Sequence, residues 1–338
     1  MKKDNKVVIY WLLTGCILIF IMVIVGGITR LTHSGLSISN YKLISGTIPP
    51  MNTVEWNEAF DLYKQYPEYQ KLNYNMNLDE FKNIYFWEWI HRVIGRFIGL
   101  VFIIPFLYFL IRKRLTKSTI KKAIILLIMG GFQGFLGWYM VKSGLVDRPD
   151  VSHYRLAAHL TTAFLTFAYT FWVALDLIFP DKKVIEKKFR NFIRISLVVL
   201  IVQIIYGAFV AGLDAGWIHN NWPFMNEGKL IHETVYTEQN PTYLNFIEGK
   251  SGVQFVHRTL AYVVVIFILS IWYKAKQMTL TTLQTKGING LLIMVGIQFL
   301  LGVLTLIYAV PVWLGVLHQV GAFILLSAMI FTLHRFSK

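Results

Sequence analysis

Eight stretches of roughly 20 mostly apolar residues constrain this chain more than any other feature; they lie near 8–29, 88–111, 120–141, 155–179, 193–213, 253–273, 287–309 and 313–333. Each is long enough to cross a hydrocarbon core of about 30 Å as an α-helix. Helices and closed barrels are the only structures that satisfy their own backbone hydrogen bonds there. Composition agrees: with 55% of the 338 residues hydrophobic and 15% charged, the polar surface is too small to coat a soluble globule of this size. The first stretch exceeds a secretory signal core, and Gly26-Gly27-Ile28-Thr29-Arg30 runs into a polar loop without a small-residue cleavage site, so it is read as a span. The expected fold class is an all-α membrane protein with eight transmembrane helices.

A formal charge of +15 would suggest nucleic acid in a soluble protein, so the placement of the basic residues decides its meaning. With the N-terminus inside, segments 1–6, 112–122, 182–194, 274–286 and 335–338 hold 20 of the 33 Lys and Arg. Seven of the other 13 fall in or beside the two long outer segments 31–85 and 214–250, where the positive-inside rule acts weakly. The charge therefore implies a multi-pass protein of the cell inner (cytoplasmic) membrane with both termini cytoplasmic, lipid as its surroundings and no nucleic-acid partner. The single cysteine, Cys16, lies inside the first span, which excludes a disulfide framework or a cysteine metal site. Trp56, Tyr63, Tyr66, Tyr69 and Tyr74 make segment 51–87 aromatic enough to fold as a cap.

The second half of the chain repeats the first with a period near 165 residues. Trp87-Glu88-Trp89-Ile90-His91-Arg92 matches Val253-Gln254-Phe255-Val256-His257-Arg258 at a separation of 166, Gln133 matches Gln298 at 165, and His159 matches His318 at 159. Pro49-Pro50-Met51-Asn52 likewise resembles Pro223-Phe224-Met225-Asn226. Each half holds four spans, and because four is even the halves enter the membrane in the same orientation, a parallel repeat. Two pseudo-symmetric four-helix bundles follow, 1–190 with the long outer loop 31–85 and 191–338.

Four of the nine histidines lie inside spans near their outer ends, at His91, His159, His257 and His318, two per bundle on facing helices. An ionisable residue in a span is costly and is a functional candidate by default, although a lone histidine can simply hydrogen-bond between helices. Repetition in register favours function. Four residues on from each, on the same face, stand Gly95, Ala163, Ala261 and Ala322, small residues that give clearance for a large flat ligand or for close helix packing. With facing histidines the pattern favours haem held by two imidazoles over zinc or copper, for which two histidines per bundle are too few ligands unless water or carboxylates join them.

One position breaks the symmetry. Three residues before the first histidine of each half stands Glu88 in one and Gln254 in the other. A carboxyl group near a membrane core can move protons, which a purely electron-carrying haem does not need, so the first bundle reads as the seat of chemistry and the second as an electron carrier. The competing reading of Glu88 is a loop-edge acid paired with Arg92 or Arg96. Arg92 and Arg258 follow the repeated histidines and suit either haem propionates or lipid phosphate. Gln133 and Gln298 read as helix-to-helix hydrogen-bonding residues, and His33, His153, His219, His232 and His334 as ordinary surface histidines.

Taken together, Gly26-Gly27-Ile28-Thr29-Arg30-Leu31-Thr32 with Ser34-Gly35-Leu36-Ser37, Glu88-x-x-His91-Arg92, Gly212-Leu213-Asp214-Ala215-Gly216 with Asn221-Trp222-Pro223-x-Met225, and His257-Arg258 resemble the haem A synthase family over nearly the whole chain. The resemblance implies oxidation of the methyl group on carbon 8 of haem O to the formyl group of haem A through hydroxylation, in the assembly of haem-copper terminal oxidases. It implies that His257 and His318 are axial ligands of a haem b cofactor, that His91 and His159 belong to the substrate haem, and that Glu88 is essential. The implied partners are haem O, a haem O synthase, the terminal oxidase under assembly and an electron donor that the residues do not identify. Many bacterial relatives carry an outer-loop cysteine pair; this chain resembles the cysteine-free branch. A non-catalytic di-haem cytochrome b and a haem carrier are the alternatives, and the Glu88–Gln254 difference favours the enzyme.

Overall fold

The structure is a computed structural model that describes residues 3–38, 45–144, 151–180 and 186–337. Lys2, Lys182, Lys183 and Lys338 of the basic segments, and residues 39–44 of the first long loop, lie outside the described residues. Among the described residues the regular structure is helical throughout. Eight helices are long and apolar enough to cross a membrane. They are α1 (Lys3–Leu31), α4 (Leu78–Ile111), α5 (Lys117–Gly144), α6 (His153–Ile178), α7 (Lys187–Gly212), α9 (Lys250–Ala275), α10 (Thr282–Ile307) and α11 (Val312–Arg335), with short helices α2 (Thr53–Tyr63), α3 (Pro67–Lys71) and α8 (Thr234–Thr237) in the long connections. At 1.5 Å per residue, the 26-residue helices run about 39 Å.

Helix α4 begins ten residues before the apolar stretch that announces it. Asn77 accepts from the backbone N–H of Asp79 and Glu80, and Glu80 returns a bond to the Asn77 N–H, so a capping box starts the helix inside polar sequence. The added turns pack on α2 and α3. Phe60, Tyr63 and Phe81 form a buried cluster joined by Trp56, Tyr69, Met76 and Tyr85. Tyr63 donates to Glu68 and receives from Asn73. Burial and the neighbouring Glu68 push its phenol pKa up. The aromatic segment is thus a folded cap, as its composition predicts.

The chain divides into two compact units, residues 14–155 and residues 1–13 with 156–338. In the second, α7 packs on α9, α9 on α10, α10 on α11 and α11 back on α7, which closes a four-helix bundle. Its interior is Ile193, Leu200, Ile268, Ile271, Leu291, Leu325 and Met329. In the first, α4 runs beside α5, and Ile104, Leu107, Ile128 and Phe135 stay exposed, the surface a bilayer rather than water would solvate.

The 214–250 connection is also a cap. Its pin is Asn245, fully buried, whose amide donates to the carbonyls of Tyr236, Gln239 and Thr242 and whose oxygen accepts from the Gln239 N–H. Gly252 on α9 lies so close that any Cβ there would collide with the Asn245 carbonyl.

Candidate functional site

In the 14–155 unit, Glu88, His91 and Arg92 stand on consecutive turns of α4. Glu88 is buried, and three donors converge on it. Ser37 Oγ and the Ile38 N–H donate to Oε2 at 2.7 and 2.8 Å, and Arg92 pairs with Oε1. Arg92 also donates to the Ile38 carbonyl at 2.8 Å. The helix therefore grips the Ser34–Ile38 segment one turn from His91, and the partners around Glu88 suit a carboxylate. Gly26 of α1 lies against the histidine: a Cβ there would sit 3.4 Å from His91 Nε2. The Gly26-Gly27 and Ser34-Gly35-Leu36-Ser37 motifs thus meet at the Glu88-x-x-His91-Arg92 turn of α4. His159 lies on α6, half-buried, within the other compact unit.

The second half uses the same grip with the polarity reversed. Gln254 is buried and donates through Nε2 to the carbonyls of Ala215, at 3.0 Å, and Ile218. Arg258 spreads its guanidinium over the carbonyls of His219, Asn221, Pro223 and Phe224. A glutamate at 254 would face carbonyl oxygens and be repelled. The Glu–Gln asymmetry accordingly matches the backbone each residue holds, donors at 37–38 and acceptors at 215–218.

His257 and His318 come together, with ring centroids 6.4 Å apart and planes at 87°. Two imidazoles on opposite sides of one iron require about 6 Å, from metal–nitrogen bonds of about 2 Å and ring half-widths of about 1 Å. Both rings lie close against a glycine: a Cβ at Gly207 would be 3.1 Å from His257 Cε1, a tight contact, and one at Gly302 would be 2.9 Å from His318 Cε1, too close without a shift of the ring. His257 Nδ1 is buried without a partner, a vacancy in hydrogen bonding that a ligand would relieve. This pair fits haem. Among the described residues no three His, Cys, Asp or Glu side chains converge, so the histidines offer ligands in pairs only.

Three of the five histidines read as surface residues are buried instead. His153 is 7% exposed, His219 6% and His334 0%. The last turn of α11 tucks in, so that His334 meets Asp176 at 3.2 Å and packs on Trp172. His219 forms a network with Ser251, Thr234 and His232, and Ser251 donates to Glu238. Burial and the neighbouring His232 push the His219 pKa down. The network walls a polar cavity of about 470 Å³ in the second cap. No repeat partner or motif marks these positions in the sequence.

An eight-span helical protein with two histidines poised for one haem is, by class, a membrane haem protein. The family model described as "Cytochrome oxidase assembly protein" matches residues 9–330, and the chain belongs to that family. It is 61% identical to the haem A synthase of Flavobacterium johnsoniae over 100% of both chains. With the haem A synthase of Flavobacterium psychrophilum it shares 60% identity over 99% of this chain and 100% of the relative, and with that of Parvibaculum lavamentivorans 41% over 99% and 96%.

Proposed function

We propose that this chain oxidises haem O to haem A, converting the methyl group on carbon 8 to a formyl group for assembly of haem-copper terminal oxidases. The observation that carries the division of labour is the repeat-matched pair Glu88 and Gln254, a buried charge in one half and a buried neutral amide in the other. In this reading residues 1–190 form the first bundle, with His91 and His159 assigned as substrate-haem ligands, and residues 191–338 form the second and hold haem b between His257 and His318. Haem b supplies one-electron transfer from a donor yet to be identified. Glu88 accepts a proton at the substrate site, and the Arg92 guanidinium that pairs with it orients the carboxylate. Arg92 and Arg258 fix the loops beside His91 and His257 and supply the positive charge that haem propionates need. The protein lies in the cell inner membrane with both termini cytoplasmic, surrounded by lipid, and works with a haem O synthase upstream.

Two variants test the role of Glu88, because loop anchoring and proton handling share one side chain. Ser37→Ala removes a hydrogen bond from the same carboxylate oxygen and leaves the carboxylate; Glu88→Gln removes the charge. Haem A yield is expected to fall about 10²-fold or more in Glu88→Gln, the scale of losing a general base, and by far less in Ser37→Ala, with haem b retained in both. Equal losses in the two variants would reduce Glu88 to an anchor.

A further inference from the structure

The two imidazoles of the 187–335 bundle are served by the same device on the preceding helix of the bundle, a glutamine followed four residues later by a glycine. On α7, Gly207 gives the His257 ring its cleft and the Gln203 carboxamide nitrogen reaches to 3.5 Å of His257 Nε2. On α10, Gly302 does the same for His318, and the Gln298 nitrogen lies 3.1 Å from His318 Nδ1 while donating to the His318 carbonyl at 3.0 Å. Residues four apart share a helix face, so the glycine admits the ring and the glutamine closes over its edge. Both carboxamides also keep Oε1 buried without a partner. Gly321, three residues beyond His318, makes the space for that oxygen of Gln298: a Cβ there would collide with it.

An imidazole that binds iron through one nitrogen carries a proton on the other, and a neighbouring acceptor for that N–H fixes the ring and raises its basicity. A glutamine carboxamide presents a donor and an acceptor of nearly the same shape, so a half-turn about its terminal bond brings Oε1 to an imidazole N–H, at Gln298 in exchange for the bond its nitrogen donates to the His318 carbonyl. We propose that Gln203 and Gln298 are positioning residues for His257 and His318, which hold the two rings in register and set the reduction potential of the iron between them. The first half carries the device once more at Gln133 and Gly137, matched to Gln298 and Gly302. Four residues before Gly26, the glycine against His91, it has Met22, a weak acceptor in place of a carboxamide. The full pair of glutamines thus belongs to the bundle that stores electrons.

This inference rests on the reading that His257 and His318 hold haem, and the experiment separates the two. In the purified full-length protein, Gln203→Leu and Gln298→Leu are compared with wild type and His257→Ala by electron paramagnetic resonance, redox titration and haem release. The Leu variants are expected to keep a low-spin haem but to shift its resonance, raise its midpoint potential and release it about 10-fold faster, the low end of the usual effect of an outer partner. Gln203→Glu, which keeps an acceptor at the same reach and meets no carbonyl among the described residues, should move the potential the opposite way. Where a Leu variant does not assemble, Met, unbranched and of similar length, takes its place. Wild-type potential and resonance in both glutamine variants would overturn the positioning role. An intact low-spin signal in His257→Ala would instead overturn the haem reading itself and this inference with it.

Discussion

At the residue scale, a carboxylate and a carboxamide of nearly equal size stand at 88 and 254, and each is complementary to its own loop. The amide at 254 donates to carbonyls, whereas an amide at 88 would turn an N–H₂ group toward Arg92 or toward the donors Ser37 and Ile38. Glu88→Gln therefore weakens the loop grip as well as removing a proton acceptor, which is why Ser37→Ala is needed beside it. The glycine clefts give a cleaner prediction. Gly302 and Gly290 share α10, but a Cβ meets His318 Cε1 at 2.9 Å from the first and nothing within 4 Å from the second. Gly302→Ala should cost most of the low-spin haem absorbance. Gly290→Ala should leave it intact and stabilise the helix slightly, since alanine is favoured over glycine there by roughly 0.5–1 kcal/mol. Haem absorbance per protein checks both, and equal spectra in the two variants would contradict the cleft.

At the scale of elements, the caps behave differently from the spans because single polar contacts hold them. Asn245→Ala removes the three bonds that tie the carbonyls of Tyr236, Gln239 and Thr242 to a buried side chain, so the 214–250 cap should lose protection in hydrogen exchange while the α7, α9, α10 and α11 amides keep theirs. The same cap should be acid-sensitive. His219 faces His232, Glu238 and Arg258, and its pKa is lowered in the folded protein, so protonation favours the unfolded cap. Its contribution to stability is complete above the ordinary histidine pKa of about 6.5 and is lost as pH falls from there through the lowered folded value. Protection factors of the cap amides, taken against the intrinsic exchange rate at each pH, should fall between pH 7.5 and 5.5, and His219→Gln should flatten that dependence. Hydrophobicity made the spans legible in the sequence, each to within about ten residues, because a 20-residue apolar run has one solution in a bilayer. The caps were not legible: the early start of α4 depends on the Asn77–Glu80 capping box, and the burial of His219 on a connection that folds back over α9.

At the scale of the whole molecule, the internal repeat singled out the histidines and Glu88, because register across two halves marks positions that composition alone does not. It left Gln203 unseen for the same reason: its counterpart is Met22, so no symmetry drew attention to it. Gln298, which does repeat, was visible only as a generic polar residue until His318 came to lie beside it. The basic residues at 112–122 and 274–286 predict topology as well. A reporter fused after Lys338 should be active on the cytoplasmic side, and one inserted in the 51–87 cap on the opposite side; the reverse pattern would refute the orientation.

Haem O to haem A conversion is measured most directly by chromatography of pigment extracted from membranes that contain this chain together with a haem O synthase. The expected result is haem A, with a hydroxymethyl intermediate, in the presence of the chain, and haem O alone in its absence. Recovery of haem O unchanged, from membranes in which the protein is abundant and holds its low-spin haem, would contradict the assignment and leave an electron-carrying or haem-carrying protein in its place.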